Sequence, residues 1–260
     1  MSAPATEGVS LRVRDSIATI VIDQKRRHNA LGLQAWLALP RLIAAGECDA
    51  EVGLIVLRGA HGNFGSGNDL VEFGALYGRR TAAMEFARAM ADAMRAVEVA
   101  SKPVVMAIEG LCYGASVALT LAGDLRIAGD TATFGITPAK LGALYLQSDL
   151  HRLVATVGMG QSKKLVYSAE PIGAHSAKEI GLVDEVISAE HFDSGLQRVT
   201  DAILRGSPFT LRRSKEMFGM VNPTPAETDE SLRPFVDATQ GSDFVEGVDA
   251  FIKKRAPRFR

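Results

Sequence analysis

Cysteine is scarce in this 260-residue chain: only Cys48 and Cys112 occur, far apart and without a CxxC pair. A disulfide scaffold is therefore excluded, and both are expected to be reduced thiols. An excess of one charge is also missing. The 29 Lys and Arg against 30 Asp and Glu leave a net charge of −1, which argues against a basic nucleic-acid binder. No uninterrupted run of ~18 apolar residues exists, because Glu98, Lys102 and Glu109 break the most hydrophobic region, so no membrane span is expected. Met1 to Gly8 are small and polar without the basic-then-apolar order of an export signal, and a cytoplasmic location is the expectation. The five histidines, His28, His61, His151, His175 and His191, never fall at ligand spacing, and no metal is expected.

What is present suits a globular protein. A 47% hydrophobic content over this length can form a sizeable core without staples. Val9 to Val13 and Ile17 to Ile22 alternate as two strands of an opening hairpin. The segment from Leu31 to Ala45 has helical content, and Val52 to Leu57 is a short β-branched run expected to be a buried strand. From Thr81 to Ala100, Phe86, Met90, Met94 and Val97 recur at helical spacing and make one apolar face, ended at Ser101-Lys102-Pro103. Pro103 to Ile108, Leu125 to Ala128 and Ala132 to Gly135 supply further strands. Strand, loop and helix recur over the first two-thirds, which predicts an α/β architecture with parallel pairing. Beyond Asp149 helices dominate. We place a core over residues 1–200 and a helical cap or oligomerisation segment over residues 201–260.

Two strands run into glycine loops: Phe64-Gly65-Ser66-Gly67-Asn68-Asp69-Leu70, and Gly110 through Gly114-Ala115-Ser116. Small residues leave backbone N–H groups unshielded, and two such donors converging on one point would stabilise an oxyanion. The second loop also opens a helix, whose positive end would add to the field. From the local pattern alone these loops read equally as tight turns. Gly65-Ser66-Gly67 lacks the third glycine of a dinucleotide fingerprint. Gly114-Ala115-Ser116-Val117-Ala118 approximates a nucleophile elbow, which opens a serine-hydrolase alternative through Ser116, but several residues separate that serine from the strand end at Ile108.

Several stretches together resemble the crotonase superfamily, the enoyl-CoA hydratase/isomerase family. They are Asp23-Gln24-Lys25-Arg26-Arg27-His28-Asn29-Ala30-Leu31, the first glycine loop, Val105 to Gly110, Gly123 to Ala128, Ala132 to Gly135, Lys140-Leu141-Gly142, Gly181 to Val186, and the closing Phe251 to Phe259. The likeness runs in unbroken order along nearly the whole chain. It implies a spiral of ββα turns with a helical C-terminal segment, a homotrimer or dimer of trimers, and a coenzyme A thioester as substrate with no separate cofactor. It also implies that the N–H groups of Asn68 and Ala115 form the anion hole. Around them, Ala30, Phe64, Gly67, Asp69, Leu70 and Gly114 would line the ligand site. Arg26 and Arg27 would contact its phosphates, or be a solvated basic pair.

The pattern departs from the hydratases where they carry two catalytic glutamates. The matching positions are Ala118 and Pro138, which can neither take nor give a proton. The expectation is therefore enoyl-CoA isomerisation or related enolate chemistry; a non-catalytic acyl-CoA-binding paralogue is the alternative. Asp149 is the candidate proton carrier, with a helix-capping role as its rival reading. Tyr145 would donate to the substrate or line the pocket, and Glu72 is a third candidate acid. Asp69 and Asp124 read as loop-holding residues. Phe86, Met90 and Met94 either wall an acyl pocket or pack the core.

Overall fold

The computed structural model describes residues 8–259; the leading stretch discussed above as lacking an export signal lies almost wholly outside them. Strands β1 (Val9–Arg14) and β2 (Ile17–Ile22) form the expected antiparallel hairpin, turned by Asp15 and Ser16 with positive φ. Helix α1 (Leu33–Cys48) follows, then β3 (Leu54–Gly59), the short α2 (Leu70–Gly74) and α3 (Arg80–Val99). Next come β4 (Val104–Ile108), β5 (Leu111–Tyr113), α4 (Ala115–Leu121), β6 (Leu125–Gly129), β7 (Thr133–Gly135), α5 (Pro138–Leu141) and α6 (Gln147–Ser168). The chain ends through β8 (Ile172–Gly173), α7 (Ala174–Glu179), β9 (Glu185–Ile187), α8 (Phe192–Leu204), α9 (Pro208–Val221), α10 (Asp229–Ala238) and α11 (Ser242–Ile252).

A six-stranded sheet has the order β1-β2-β3-β4-β6-β9, parallel from β2 onward. Its central strand β4 is buried at every residue, as a parallel strand covered on both faces must be. A second sheet, β5-β7-β8, lies beside it. Gly65 bridges to Cys112 and Asn68 to Leu31, so that the first glycine loop continues this second sheet as a frayed strand.

The architecture is thus a repeated turn. The chain runs through the large sheet, steps into the small one and leaves as a helix. β2 leads to Leu31 and α1; β3 leads to Gly65–Asn68 and α2; β4 leads to β5 and α4; β6 leads to β7 and α5. Each ββα turn lays the start of its helix beside that of the turn before. The sequence reading of Gly110 to Gly114 as a plain loop is corrected: Leu111, Cys112 and Tyr113 between the two glycines form β5, paired to β7 and bridged to Gly65.

The core follows the expected pattern. Phe86, Met94 and Val97 of α3 are buried at 1% exposure or less, so this face packs the interior. α1 and α3 end on lysines: Lys102 Nζ donates to the Gly46 and Asp49 carbonyls (3.0 and 2.6 Å), and Lys215 Nζ to those of Val97 and Lys102 (3.4 and 3.1 Å). Each satisfies carbonyls that a helix end leaves unpaired.

Candidate active site

Gly67 carries φ +98°, which reverses the chain between its N–H and its carbonyl. The N–H donates to Ser116 Oγ (3.1 Å), while the carbonyl accepts from Leu31 N (2.8 Å). In a trans peptide the carbonyl and the following N–H point in opposite directions. The Asn68 N–H therefore faces away from Leu31. The Asn68 side chain is fixed independently: Trp36 Nε1 donates to its Oδ1 (3.0 Å), and its Nδ2 lies 3.6 Å from Met90 Sδ. Trp36, fully buried in α1, is a site-supporting residue that sequence reasoning missed.

Gly114 lies at φ +53°, ψ −123°, a combination accessible in practice only to glycine. Its carbonyl turns into the first turn of α4 and accepts from Val117 N (3.0 Å) and Ala118 N (3.3 Å), as well as from the Tyr145 hydroxyl (2.6 Å). The same trans-peptide argument sends the Ala115 N–H outward from the helix N-terminus, where the macrodipole is positive. Ala115 itself is helical, without a positive φ, so alanine serves as well as glycine. The two loops touch: a Cβ at Gly67 would lie 2.9 Å from the Tyr113 carbonyl oxygen and 3.3 Å from the Ala115 nitrogen. Among the described residues, neither the Asn68 N–H nor the Ala115 N–H has a protein acceptor.

Asn68 and Ala115 line one cavity of about 450 Å³. Its walls are mainly apolar, with Leu70, Phe73, Met90, Leu141, Leu144 and Phe235 among them, and its polar groups include His28, Thr137, Lys140 and Tyr145. Among the described residues, no Asp or Glu lines it. Two unpaired N–H donors in an apolar cavity can stabilise a developing negative charge on an oxygen better than solvent would.

The structure brings Asn68, Ala115, Gly67, Leu70, Gly114 and Tyr145 to this cavity, along with Met90 from the α3 face. Phe64 and Ala30 are buried in the core beneath it. Asp69 caps α2, accepting from Val71 N (3.0 Å) and Glu72 N (3.3 Å), and is also bonded by Arg27; the loop-holding reading is right. Asp124 accepts from Val104 N (2.6 Å) and pairs with Lys215 (2.7 Å). Arg26 and Arg27 border a separate, more open groove with Lys25 and Gln34, not the cavity that Asn68 and Ala115 line.

Asp149 is not in the cavity. It is fully buried on α6, where Leu146 N donates to it (3.4 Å) and Arg152 pairs with it (3.1 Å), Arg152 also reaching Glu98 (3.0 Å). Burial pushes the Asp149 carboxyl up to about 7, against the pull of Arg152. Its capping reading fits this geometry. Glu72 is likewise elsewhere: Leu33 N donates to it (2.9 Å), so it caps α1. Ser116 is completely buried, which removes it as a nucleophile. Ala118 is completely buried beside the site, and Pro138 lines the cavity wall. Burial raises the Tyr145 phenol well above its ordinary range, the Asp149 charge adding to the effect, so it stays protonated and acts as a donor.

Sequence reasoning also missed the far wall, formed by Phe235, Ala250 and Phe251 of the last two helices with Arg255 and Pro257 of the tail beyond them. The closing Phe251 to Phe259 stretch was legible as a motif, but nothing local said that it reaches back over 130 residues to Ala115. Among the described residues, no three His, Cys, Asp or Glu side chains converge as a metal site requires. Among the described residues, no helix is long and apolar enough to cross a membrane.

Residues 12–260 match the family profile described as Enoyl-CoA hydratase/isomerase. The chain is 29% identical over 260 residues to a crotonyl-CoA hydratase of Syntrophomonas wolfei, covering 98% of each. It is 28% identical to the peroxisomal Delta(3,5)-Delta(2,4)-dienoyl-CoA isomerase of Arabidopsis thaliana, covering 94% of this chain and 92% of that one. A solved structure of methylmalonyl-CoA decarboxylase in complex with 2-nitronate-propionyl-CoA superposes with a TM-score of 0.85 at 26% identity, covering 98% of this chain and 99% of that one.

Proposed function

Because the chain belongs to the enoyl-CoA hydratase/isomerase family, whose members are enzymes of the crotonase fold, we propose that its cavity binds an acyl-CoA thioester and stabilises the thioester enolate. The carbonyl oxygen accepts from Asn68 N–H and Ala115 N–H; Tyr145 holds the Gly114–Ala115 peptide in place.

The reaction turns on how the enolate arises. Hydration by the two-glutamate route has no acid or base here, since Ala118 and Pro138 hold those positions. Isomerisation needs a group to take the α-proton, and among the described residues the cavity lining contains no carboxylate. Loss of carbon dioxide from a 2-carboxyacyl thioester needs neither. The bond from the α-carbon to the carboxylate breaks, its electron pair passes into the thioester carbonyl, and carbon dioxide leaves. The α-carbon then takes a proton from water. Apolar walls favour this step, because they destabilise the substrate carboxylate more than the delocalised enolate held by two N–H donors. The observation that carries the reading is a carboxylate-free cavity at which two unpartnered amides meet. The likeness to a methylmalonyl-CoA decarboxylase complexed with a nitronate thioester supports it.

Isomerisation of an enoyl-CoA is the second reading, favoured by one observation: Asp149 is poised near pH 7 and its charge is felt by Tyr145. The two separate in one assay. Purified protein is given malonyl-type, 2-enoyl- and 3-enoyl-CoA thioesters, with carbon dioxide release and double-bond migration followed in parallel. Carbon dioxide release is the expected result; double-bond migration alone, abolished in Asp149→Asn, would reverse the assignment. For the quaternary state, we propose self-association through α9, which exposes Phe209, Met217, Phe218, Met220 and Val221.

A further inference from the structure

We propose that the Ser116 hydroxyl is a positioning residue that sets the aim of the Asn68 donor, bracing the two loops of the anion hole against each other from behind. This rests on the thioester-enolate reading above. Ser116 is fully buried in the first turn of α4, one residue past the Ala115 donor. Its Oγ accepts from Gly67 N–H, one residue before the Asn68 donor. Gly67 is thus clamped at both ends, its N–H on Ser116 and its carbonyl on Leu31 N. Rotation about a glycine is otherwise nearly free. The Asn68 N–H shares a peptide plane with the Gly67 carbonyl, so its direction is set by the torsions held between those two clamps. Take Ser116 Oγ away and one clamp remains, with the Gly67 N–H left buried and unpaired.

The bond runs from α4 to the loop before α2, so it fixes the second donor relative to the first. Two donors aimed at one oxygen require that relation to hold within a fraction of an ångström. The neutral thioester demands less of it than the enolate, whose charge draws on both donors at short range. Ser116 therefore acts on the anion and leaves the neutral ligand untouched.

The test measures two affinities in the same proteins: Kd for propionyl-CoA, and Kd for its 2-nitronate analogue, which carries the enolate's charge. Ser116→Ala is expected to weaken the nitronate about tenfold while propionyl-CoA changes less than about twofold. Ser116→Thr keeps the acceptor oxygen and is expected to retain the wild-type preference for the nitronate. Equal weakening of both ligands in Ser116→Ala, or no change in either, would overturn the proposal, as would loss of the preference in both variants alike. Amide exchange at Gly67 in the wild type needs no variant to fold: a protected amide supports the bond to Ser116, and rapid exchange refutes it. A wild-type protein that binds the nitronate no more tightly than propionyl-CoA would sink the enolate reading itself, an outcome distinct from any result at Ser116.

Discussion

Helix α4 buries all seven of its residues, whereas α9, with fourteen, buries none. Both are ordered, for different reasons. The first is held from every side: Gly114 bends the chain into it, Ser116 ties it to the neighbouring loop, and Val117, Ala118 and Leu119 fill the core around it. The second is anchored chiefly by Lys215, which bonds the carbonyls of Val97 and Lys102 and pairs with Asp124, while its large apolar side chains face outward. An isolated helix of that length is marginal in water. The contrast separates a helix locked on all sides beside the cavity from one held to the body chiefly by a single anchor; under the proposed function, displacing the first costs rate and covering the second makes a contact.

Changes at α4 should cost the most. Gly114→Ala forces a side chain into φ +53° and sets its Cβ 3.2 Å from Thr137 Oγ1; kcat should fall ~100-fold, about 3 kcal/mol of transition-state stabilisation, with little change in Kd for a neutral acyl-CoA. Steady-state kinetics beside direct binding checks this, and an equal fall in affinity would mean that the peptide serves binding alone. Lys215→Ala should reverse the pattern, lowering stability by ~2 kcal/mol and opening α9 to limited proteolysis while kcat holds. If kcat collapses with it, the two helices are not independent.

Tyr145→Phe removes only the hydroxyl that fixes the Gly114 carbonyl, and a fall of ~10-fold in kcat, about 1.4 kcal/mol, is expected. A smaller effect comes from Asp149, whose carboxyl is raised to about 7 in the fold against an ordinary value near 4 in the unfolded chain. Between those values the folded state binds the extra proton, so this group's contribution makes the fold less stable as pH rises from about 4 to about 7 and levels off above. Melting curves of wild type and Asp149→Asn should therefore diverge with pH over that window by a few degrees, the wild type losing more. Smallest of all, Phe218→Ser on α9 should change the stability of a single copy by less than ~0.5 kcal/mol. Its effect should appear instead in light scattering, as weakened self-association.

The same contrast explains what could be read in advance. The hairpin and the alternation of strand and helix were legible because each depends on a few contiguous residues, whereas the spiral and the two candidate donors came only with the family resemblance, since which loops meet is decided between segments far apart in sequence. Asp149 was misleading because its sequestration depends on Arg152, which is itself held by Glu98 of α3, 54 positions away. Glu72 misled for a similar reason, since the N-terminus of α1 that it caps is far off in sequence. Ser116 stood out in the sequence only as a remote nucleophile candidate, and its bond to the Gly67 amide could not be read because that amide belongs to another turn of the spiral. α9 gave no warning of its bare surface, since its apolar residues look in sequence like any buried stripe.

The ring of Tyr145 forms part of the chamber wall while its hydroxyl fastens the Gly114 carbonyl, and with it the peptide proposed above as a donor. A designer who trims this side chain to admit a bulkier acyl group also releases the Gly114 carbonyl, so capacity and reactivity are geared to one another at this position. Widening the chamber without that forfeit means carving at Leu144 or Phe235, which border the same space and hold no main-chain oxygen in place.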